Sequence, residues 1–599
     1  MKSFKKYILY SCIIAATIGI FSCKKVLDNN EDKSRLLDDT QWASEANADI
    51  FINDLYSNTP DMYGQPEQFD NFTDDNDGGF YYASWKYKQG IVDPASTNYA
   101  LFGGAAVGVA TISRFNWAAV YTQIRRCNTF IQKAEQYKNN FSAAWYNKRL
   151  DEVRFLRAMH YGNLFLHMGG LPLIFKPQTT TDDSTTLYVP RSTYAQTFDF
   201  LVKTMDTILN NKYLAVKYSA SQADAGRVTL GAALMLKAWL QLNAASPAYN
   251  ATTAPGGADP NHLAGFGNVD PTRWATAAAS FKKFMDDWGG PGKQYNLFPD
   301  DSTLWYEANE YNSEVIFDRQ YVANIRGSNY EQYGGPVYVL GTYYTWGNYN
   351  PTQELVDQFE MANGKPITDP TSGYDPQNPY VGRERRFYKW IVYDGAPYKM
   401  DWMPKTDTIY TRIDKVRPSL NEIDFGSTDV GNTAYYFKKK LNPLYRPATG
   451  LSGANYIYYR YTEVLLGYAE AQNEAVGPDQ SVYDAINAVR ARSNQPNLVA
   501  GLSQAQMRDA IRHERRVELC FENKRFYDII RWRIADQILS QDLHGMKITN
   551  TVPANNSGVW QYQVVSLNHP HVFNMKQYLQ PIPQPVIAQN TKLIQNPGY

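Results

Sequence analysis

Residues Glu152 to Met168 read EVRFLRAMHYGNLFLHM and run into Gly169-Gly170-Leu171-Pro172. Phe155, Met159, Gly162 and Leu166 fall on one stripe at helical spacing, and apolar side chains occupy most of the other faces. A helix that is apolar nearly all round is buried between neighbours. The glycine pair and the proline behind it end that helix, because glycine accepts the conformation of a C-terminal cap and proline cannot continue the ladder. Outward from this segment, a second helix is predicted from about Thr229 to Ala245, where Gly231, Ala232, Ala233 and Ala238 permit close approach. Its partner follows from Trp274 to Met285. Successive helix pairs of this length point to tetratricopeptide-like packing, although the strict repeat signature is absent.

Residues 41–290 therefore read as helical pairs. From 291 to 454 the periodicity fades, and Gly, Pro, Asn, Asp and Tyr dominate around short strand-like runs such as Glu314 to Phe317 and Tyr435 to Phe437. An irregular stretch this long inside a compact protein is more often functional than idle. Helical pattern returns over 455–540, at Tyr458 to Ala475, Val482 to Arg492 and Ser503 to Phe521, and residues 541–599 read as loops. The expected fold class is mainly α, an α-α superhelix of tetratricopeptide-like pairs with a loop-rich insertion carrying short strands. Helices of similar type flank the insertion, so 41–599 is expected to form a single domain.

The N-terminus carries a different signal. Lys2, Lys5 and Lys6 precede an apolar run from Tyr7 to Phe21, too short for a permanent membrane span, and Ser22-Cys23 follows. This reads as a secretory signal over 1–22 with a lipobox, cleavage leaving Cys23 as the lipidated first residue. The polar stretch 23–40 is too poor in apolar residues to pack and reads as a tether. Cys127 and Cys520 fall in helical patterns, where a free cysteine behaves as a small buried hydrophobe. With 59 basic and 59 acidic side chains, the chain has no charge excess to attract nucleic acid. Its 46 tyrosines and 13 tryptophans suit groove lining and sugar stacking, although helix packing accounts for most such rings.

Several stretches together resemble the SusD/RagB family of outer-membrane lipoproteins. They are Arg460-Tyr461-Thr462-Glu463-Val464-Leu465-Leu466; Arg512-His513-Glu514-Arg515-Arg516-Val517-Glu518-Leu519; Arg525-Phe526-Tyr527-Asp528 with Arg531-Trp532; Arg154-Phe155-Leu156-Arg157-Ala158; Pro351-Thr352-Gln353-Glu354-Leu355; Tyr578-Leu579-Gln580-Pro581; and the terminal Asn596-Pro597-Gly598-Tyr599. They occur in family order. Arg383-Glu384-Arg385 departs from the commoner R-D-P-R, and Lys24 and Lys25 stand where acidic residues behind the cysteine accompany surface export. The resemblance implies a helix-pair fold with a loop-rich ligand face. It also implies a lipid anchor in the outer membrane facing the exterior, a SusC-like TonB-dependent transporter as partner, a glycan ligand (or a peptide, in the RagB branch), and no catalytic centre.

The residues themselves offer competing readings. Glu514, Arg515, Arg516 and Glu518 crowd two helical turns, but Arg–Glu networks between packed helices are commoner than a carboxylate pair set across a cleft. No G-x-S-x-G, P-loop or H-E-x-x-H motif is present, and His160 and His167 are expected to pack rather than bind metal. Asp70-Asn71-Phe72-Thr73-Asp74-Asp75-Asn76-Asp77-Gly78-Gly79 is an oxygen-rich turn open to three readings: a solvated turn, a sugar-hydroxyl clamp, or an irregular calcium loop. Trp85 stands where an EF-hand started at Asp74 would need its closing Glu. No cofactor is expected, a structural calcium in that turn being the one exception the residues allow. The expected ligand contacts are Asp75, Asp77, Tyr82 and Trp85 beside this turn, and Tyr343, Tyr344, Trp346 and Asn348 in a Gly- and Asn-spaced aromatic loop. The rivals are a peptide receptor on the same scaffold, a secreted hydrolase, and a scaffold that only holds its partner.

Overall fold

The computed structural model describes residues 38–63, 67–78, 83–95, 115–413, 419–423, 431–551 and 559–599. The signal segment and Cys23 lie outside the described residues. Residues 38–40, read as the end of the tether, belong to a helical turn spanning Asp38–Gln41.

The longer helices are α1 (Glu45–Ser57), α2 (Trp117–Gln136), α3 (Ala143–Met168), α4 (Tyr194–Asn211), α5 (Leu230–Ala245), α6 (Thr272–Trp288), α7 (Tyr461–Val476), α8 (Gln480–Arg492), α9 (Gln504–Glu518) and α10 (Arg525–Arg531). Their starts are chemically marked. Ser142 Oγ accepts the Trp145 N–H at 3.3 Å, and Thr193 with Gln196 and Ser503 with Gln506 form reciprocal capping boxes. Gly169 ends α3 at φ +77°, and a Cβ there would lie 2.2 Å from the Leu263 carbonyl oxygen, so only glycine fits.

The fold is a mainly helical, tetratricopeptide-like array. Each of α2 and α3, α3 and α4, α4 and α5, α5 and α6 packs as neighbours, and α3 and α5 are buried along most of their length. α6 then packs on α7, across the whole stretch 289–460. The join is tight, because a Cβ at Gly467 of α7 would sit 2.5 Å from Phe281 Cζ of α6.

The intervening stretch is built from small antiparallel pairs. β1 (Val315–Arg319) pairs with β8 (Tyr456–Arg460), β2 (Tyr338–Val339) with β3 (Thr342–Tyr343), β4 (Ile391–Val392) with β7 (Tyr436–Phe437), and β5 (Ala396–Tyr398) with β6 (Asp407–Ile409). Two readings need correction. Tyr458 to Arg460, taken as the start of a helix, is strand; Tyr459 lies opposite Phe317 and the helix begins at Tyr461. The C-terminal residues 541–599 are not all loop, because β9 (His544–Asn550) and β10 (Trp560–Ser566) form a hairpin in register from Trp560↔Asn550 to Ser566↔His544. Cys127 and Cys520 are both free and buried. Among the described residues no helix is long and apolar enough to cross a membrane.

Candidate functional site

The acidic turn is folded inward. Asp74 pairs with Arg516 at 2.8 Å and Arg525 at 2.9 Å, Asp75 pairs with Arg516 at 2.7 Å, and Asp77 lies 3.8 Å from Lys88 Nζ and 3.4 Å from His569 Nδ1. Burial alone would raise the Asp74 carboxyl, but Arg516 and Arg525 outweigh it and hold the group below the usual range. The backbone laces this turn to the Pro351-Thr352 stretch. Asp77 N donates to Asn350 O at 3.0 Å, Thr352 N to Asp75 O at 3.1 Å, and Asn350 N to Asn76 Oδ1 at 2.6 Å.

Asp75, Asp77 and Asn348 are therefore interior groups, each exposed by 1% or less. Trp85 is 7% exposed, donates its indole N–H to Gly78 O at 2.9 Å, and packs on His569 with ring centroids 4.1 Å apart. These four side chains face the packed interior rather than a ligand surface, because the cations beside the acids come from α9 (Arg516), α10 (Arg525) and the buried Lys88. Tyr82 lies outside the described residues. The arginine and lysine partners also occupy the carboxylates a calcium ion would need, and among the described residues no group of His, Cys, Asp and Glu is placed to hold a metal.

The second aromatic stretch behaves differently. The β2–β3 hairpin turns through Leu340 and Gly341, both at positive φ, with Leu340 N anchored on Asp407 Oδ2 at 2.6 Å. This lifts Tyr343 to 41% exposure, edge-on to Tyr338. Tyr344 N donates to Val337 O at 2.8 Å, and the Tyr344 ring sits 4.9 Å from the Trp402 ring at the mouth of a narrow cavity. Both rings are half-buried. Arg446 stands over Tyr344, its guanidinium 5.3 Å from the ring and Nη2 3.3 Å from Oη. Tyr398, Tyr445, Thr345 and Glu331 line the interior. Trp346 is half-buried edge-on against Tyr333, with centroids 4.9 Å apart, outside this lining. The structure thus brings Tyr344 into a pocket and places Tyr343 and Trp346 beside it.

Glu331 closes the base and is 3% exposed. Its Oε1 accepts from Asn442 N and from Ser452 Oγ, both at 3.0 Å, and Oε2 has no hydrogen-bond partner among the described residues. Burial pushes its carboxyl up to about 7, with Glu307 adding to the rise. Sequence reasoning missed Glu331, Tyr398, Trp402, Tyr445 and Arg446. They come from separate turns and strands, and only the folded loop-rich region gathers them.

The charged motifs of α7 to α10 are a buried network. Arg460 meets Glu314 at 2.6 Å, Glu518 at 2.9 Å and Glu522 at 2.7 Å; Arg386 meets Glu384 at 2.7 Å and Glu514 at 2.5 Å; Arg531 meets Glu470 at 2.5 Å. Every buried carboxylate named here is paired, as the interior demands. His160 and His167 are also buried in α3, held down to about 3 by burial, and His167 Nε2 lies 3.0 Å from Tyr527 Oη.

The family model described as the SusD family matches residues 313–599, the C-terminal stretch that contains the aromatic pocket and the Arg–Glu network. A SusD-like protein from Bacteroides fragilis superposes with a TM-score of 0.72 at 25% identity, over 94% of this chain and 99% of its own. The chain is a member of the SusD family.

SusD-like protein P38 of Formosa agariphila is 21% identical over 90% of this SusD-family chain and 94% of its own length. SusD-like protein P2 of the same organism is 33% identical, but over only 25% of this chain and 26% of its own. A second Bacteroides fragilis structure, described as a SusD-like carbohydrate-binding protein, has the same fold, with a TM-score of 0.71 at 24% identity. Of the motifs that carry the resemblance, those beginning at Arg460, Arg512 and Arg525 supply arginines and glutamates of the buried network.

Proposed function

We propose that this SusD-family protein is a carbohydrate receptor, capturing glycans at the Tyr344–Trp402 pocket without covalent chemistry. The carrying observation is that pocket: two half-buried rings at its mouth and an unsatisfied carboxylate oxygen at its base. A ring face stacks on the apolar C–H face of a sugar, and a buried acceptor takes a hydroxyl. The carbohydrate-binding description of a structural relative supports the same reading. On this reading Cys23 carries the lipid anchor in the outer membrane, residues 23–37 tether the domain outside, and a SusC-like TonB-dependent transporter receives the ligand.

The test is binding of the chain from about Asp28 onward, without Cys23, to neutral and acidic polysaccharides and to peptide mixtures, by affinity electrophoresis and calorimetry. Saturable glycan binding without product formation is the expected result. Peptide binding alone moves the chain to a peptide receptor, and product formation overturns the receptor reading. Co-purification of a TonB-dependent barrel with the lipidated chain from outer membranes tests the partner.

A further inference from the structure

Most of the buried carboxylates in the Arg–Glu network are matched to cations: Glu314, Glu518 and Glu522 to Arg460, Glu470 to Arg531, Asp74 to Arg525; Asp70 and Asp318 are buried without such a partner among the described residues, but neither lines this pocket. Glu331 forms no ion pair among the described residues, although it is 3% exposed and lines the pocket. The donors around it are already spent. Asn442 N–H and Ser452 O–H both go to Oε1 at 3.0 Å, and Asn442 Nδ2 is divided between Ser452 Oγ and Glu307 Oε2, each at 3.1 Å. The base therefore presents a second carboxylate behind the first and an acceptor, Oε2, with nothing donating to it. The free guanidinium of the site, Arg446, is at the mouth, stacked on Tyr344. Its enclosed space, about 10 Å³, is far too small for a sugar ring and admits only a small polar arm such as a hydroxymethyl group.

We propose that the pocket selects a neutral sugar whose exocyclic hydroxymethyl arm inserts and donates its hydroxyl to Glu331 Oε2, and that it rejects the same sugar when that arm is a carboxylate or carries a sulfate. The inference rests on the carbohydrate reading of this pocket. An inserted anion would meet Glu331 and Glu307 without a donor to receive it, and like charges in such a site cost far more than in water. Arg446 tolerates an anion only at the rim.

The groups that face Glu331 are Glu307, the phenols of Tyr63, Tyr330, Tyr349, Tyr398 and Tyr445, and, across the Tyr330 ring, Lys440 with Asp70 behind it. The phenols are all pushed above their ordinary range by burial, so they do not titrate near neutrality. Lys440 is lowered to about 8 and Asp70 raised to about 7, so both change charge in the same window as Glu331. An isosteric variant is therefore needed beside the pH series.

The experiment compares each neutral hexose polymer of a panel (glucan, galactan, mannan) with its C6-oxidised, carboxylate-bearing form, using the Cys23-free chain and Glu331→Gln. The expected result is an affinity for the neutral polymer at least about tenfold above that for the oxidised one at about pH 8. The preference narrows at about pH 5.5, and it falls to about threefold or less at either pH in Glu331→Gln. If Glu331→Gln fails to fold, the wild-type preference at about pH 8 still decides, because a neutral polymer bound no more tightly than its oxidised form overturns the proposal without the variant. Equal or tighter binding of the oxidised polymer, or a preference indifferent to both pH and Glu331→Gln, overturns the proposal and leaves the carbohydrate reading standing. Binding of no polymer, neutral or oxidised, overturns the carbohydrate reading and this inference with it.

Discussion

Trp85 and Trp402 both sit in polar sequence with aromatic or charged neighbours, yet the fold gives them opposite work. Trp85 is 7% exposed, with its indole N–H on Gly78 O and its ring on His569. Trp402 is half-buried against Tyr344 at the pocket mouth. Trp85→Ala is expected to cost about 3–5 kcal/mol of stability, read as an early thermal transition, while the folded fraction keeps its glycan affinity. Trp402→Ala is expected to leave the melt nearly unchanged and weaken glycan binding by about tenfold or more, read by calorimetry. The reverse pattern would return the ligand to the acidic turn. That turn was legible as a tight, oxygen-rich structure, but its orientation was not. The groups that draw Asp74 and Asp75 inward, Arg516 and Arg525, lie far along the chain, and no local spacing announces them. Tyr344 was legible because a ring in a Gly-spaced loop is hard to place in a helical core. Trp402 gave no such signal, because it stands between Asp401 and Met403 with no other ring nearer in sequence than Tyr398.

At the scale of elements, α7 and α9 were read from periodicity, α7 with its first three residues misplaced and α9 three residues too long at its end, and their charges were read as structural. The contacts bear that reading out, since Arg460 at the start of α7 holds Glu518 at the end of α9, and reaches Glu314 before β1 and Glu522 beyond α9. Strand β8 escaped notice because its tyrosines continue the helical apolar pattern of α7, and only the pairing with β1 makes the backbone extended. Arg460→Met leaves three buried carboxylates short of a partner, and a loss of about 3–5 kcal/mol is expected in denaturant unfolding. A loss under about 1 kcal/mol would mean water or rearranged arginines replace it. The α6–α7 join makes a separate prediction. Gly467→Val drives a side chain into Phe281, where even a Cβ would be 2.5 Å from Cζ, and about 1–3 kcal/mol of overpacking cost should follow. Phe281→Leu in the same chain should recover part of that loss, because the clash is with the ring.

For the molecule as a whole, these buried groups set how stability varies with pH. Glu314, Glu470, Glu514, Glu518, Glu522, Asp74 and Asp528 are all held low; burial opposes this, and their arginine partners prevail. A carboxylate with a depressed folded pKa stabilises the fold above its unfolded value, about 4, and loses that contribution as pH falls toward the folded value. His160 and His167, lowered to about 3 by burial, and His571, lowered to about 4, act in the same direction, since the unfolded chain takes up protons below about 6.5 and the folded one does not. The opposite limb comes from carboxyls that burial raises: Asp318 to about 6, Asp70 and Glu331 to about 7, Glu310 to about 8. Their contribution is complete below about pH 4 and is lost as pH rises through 6 to 8. Between about pH 5 and 6.5 the histidines and the raised acids nearly cancel, so the melting temperature should form a broad top there. It should fall on the alkaline side toward about pH 8, and fall more steeply below about pH 4.5, by at least about 5 °C on reaching pH 3.5. Thermal melts across that range check it. Replacing Glu331 and Glu310 together by glutamine should flatten the alkaline limb and leave the acid limb in place, because the amides remove the protonation difference on one side only. A melting temperature that climbs from pH 6.5 to 8 would mean that the unpaired carboxyls find cations or water that the fold does not display, and the acceptor-only base of the aromatic pocket would lose its physical ground.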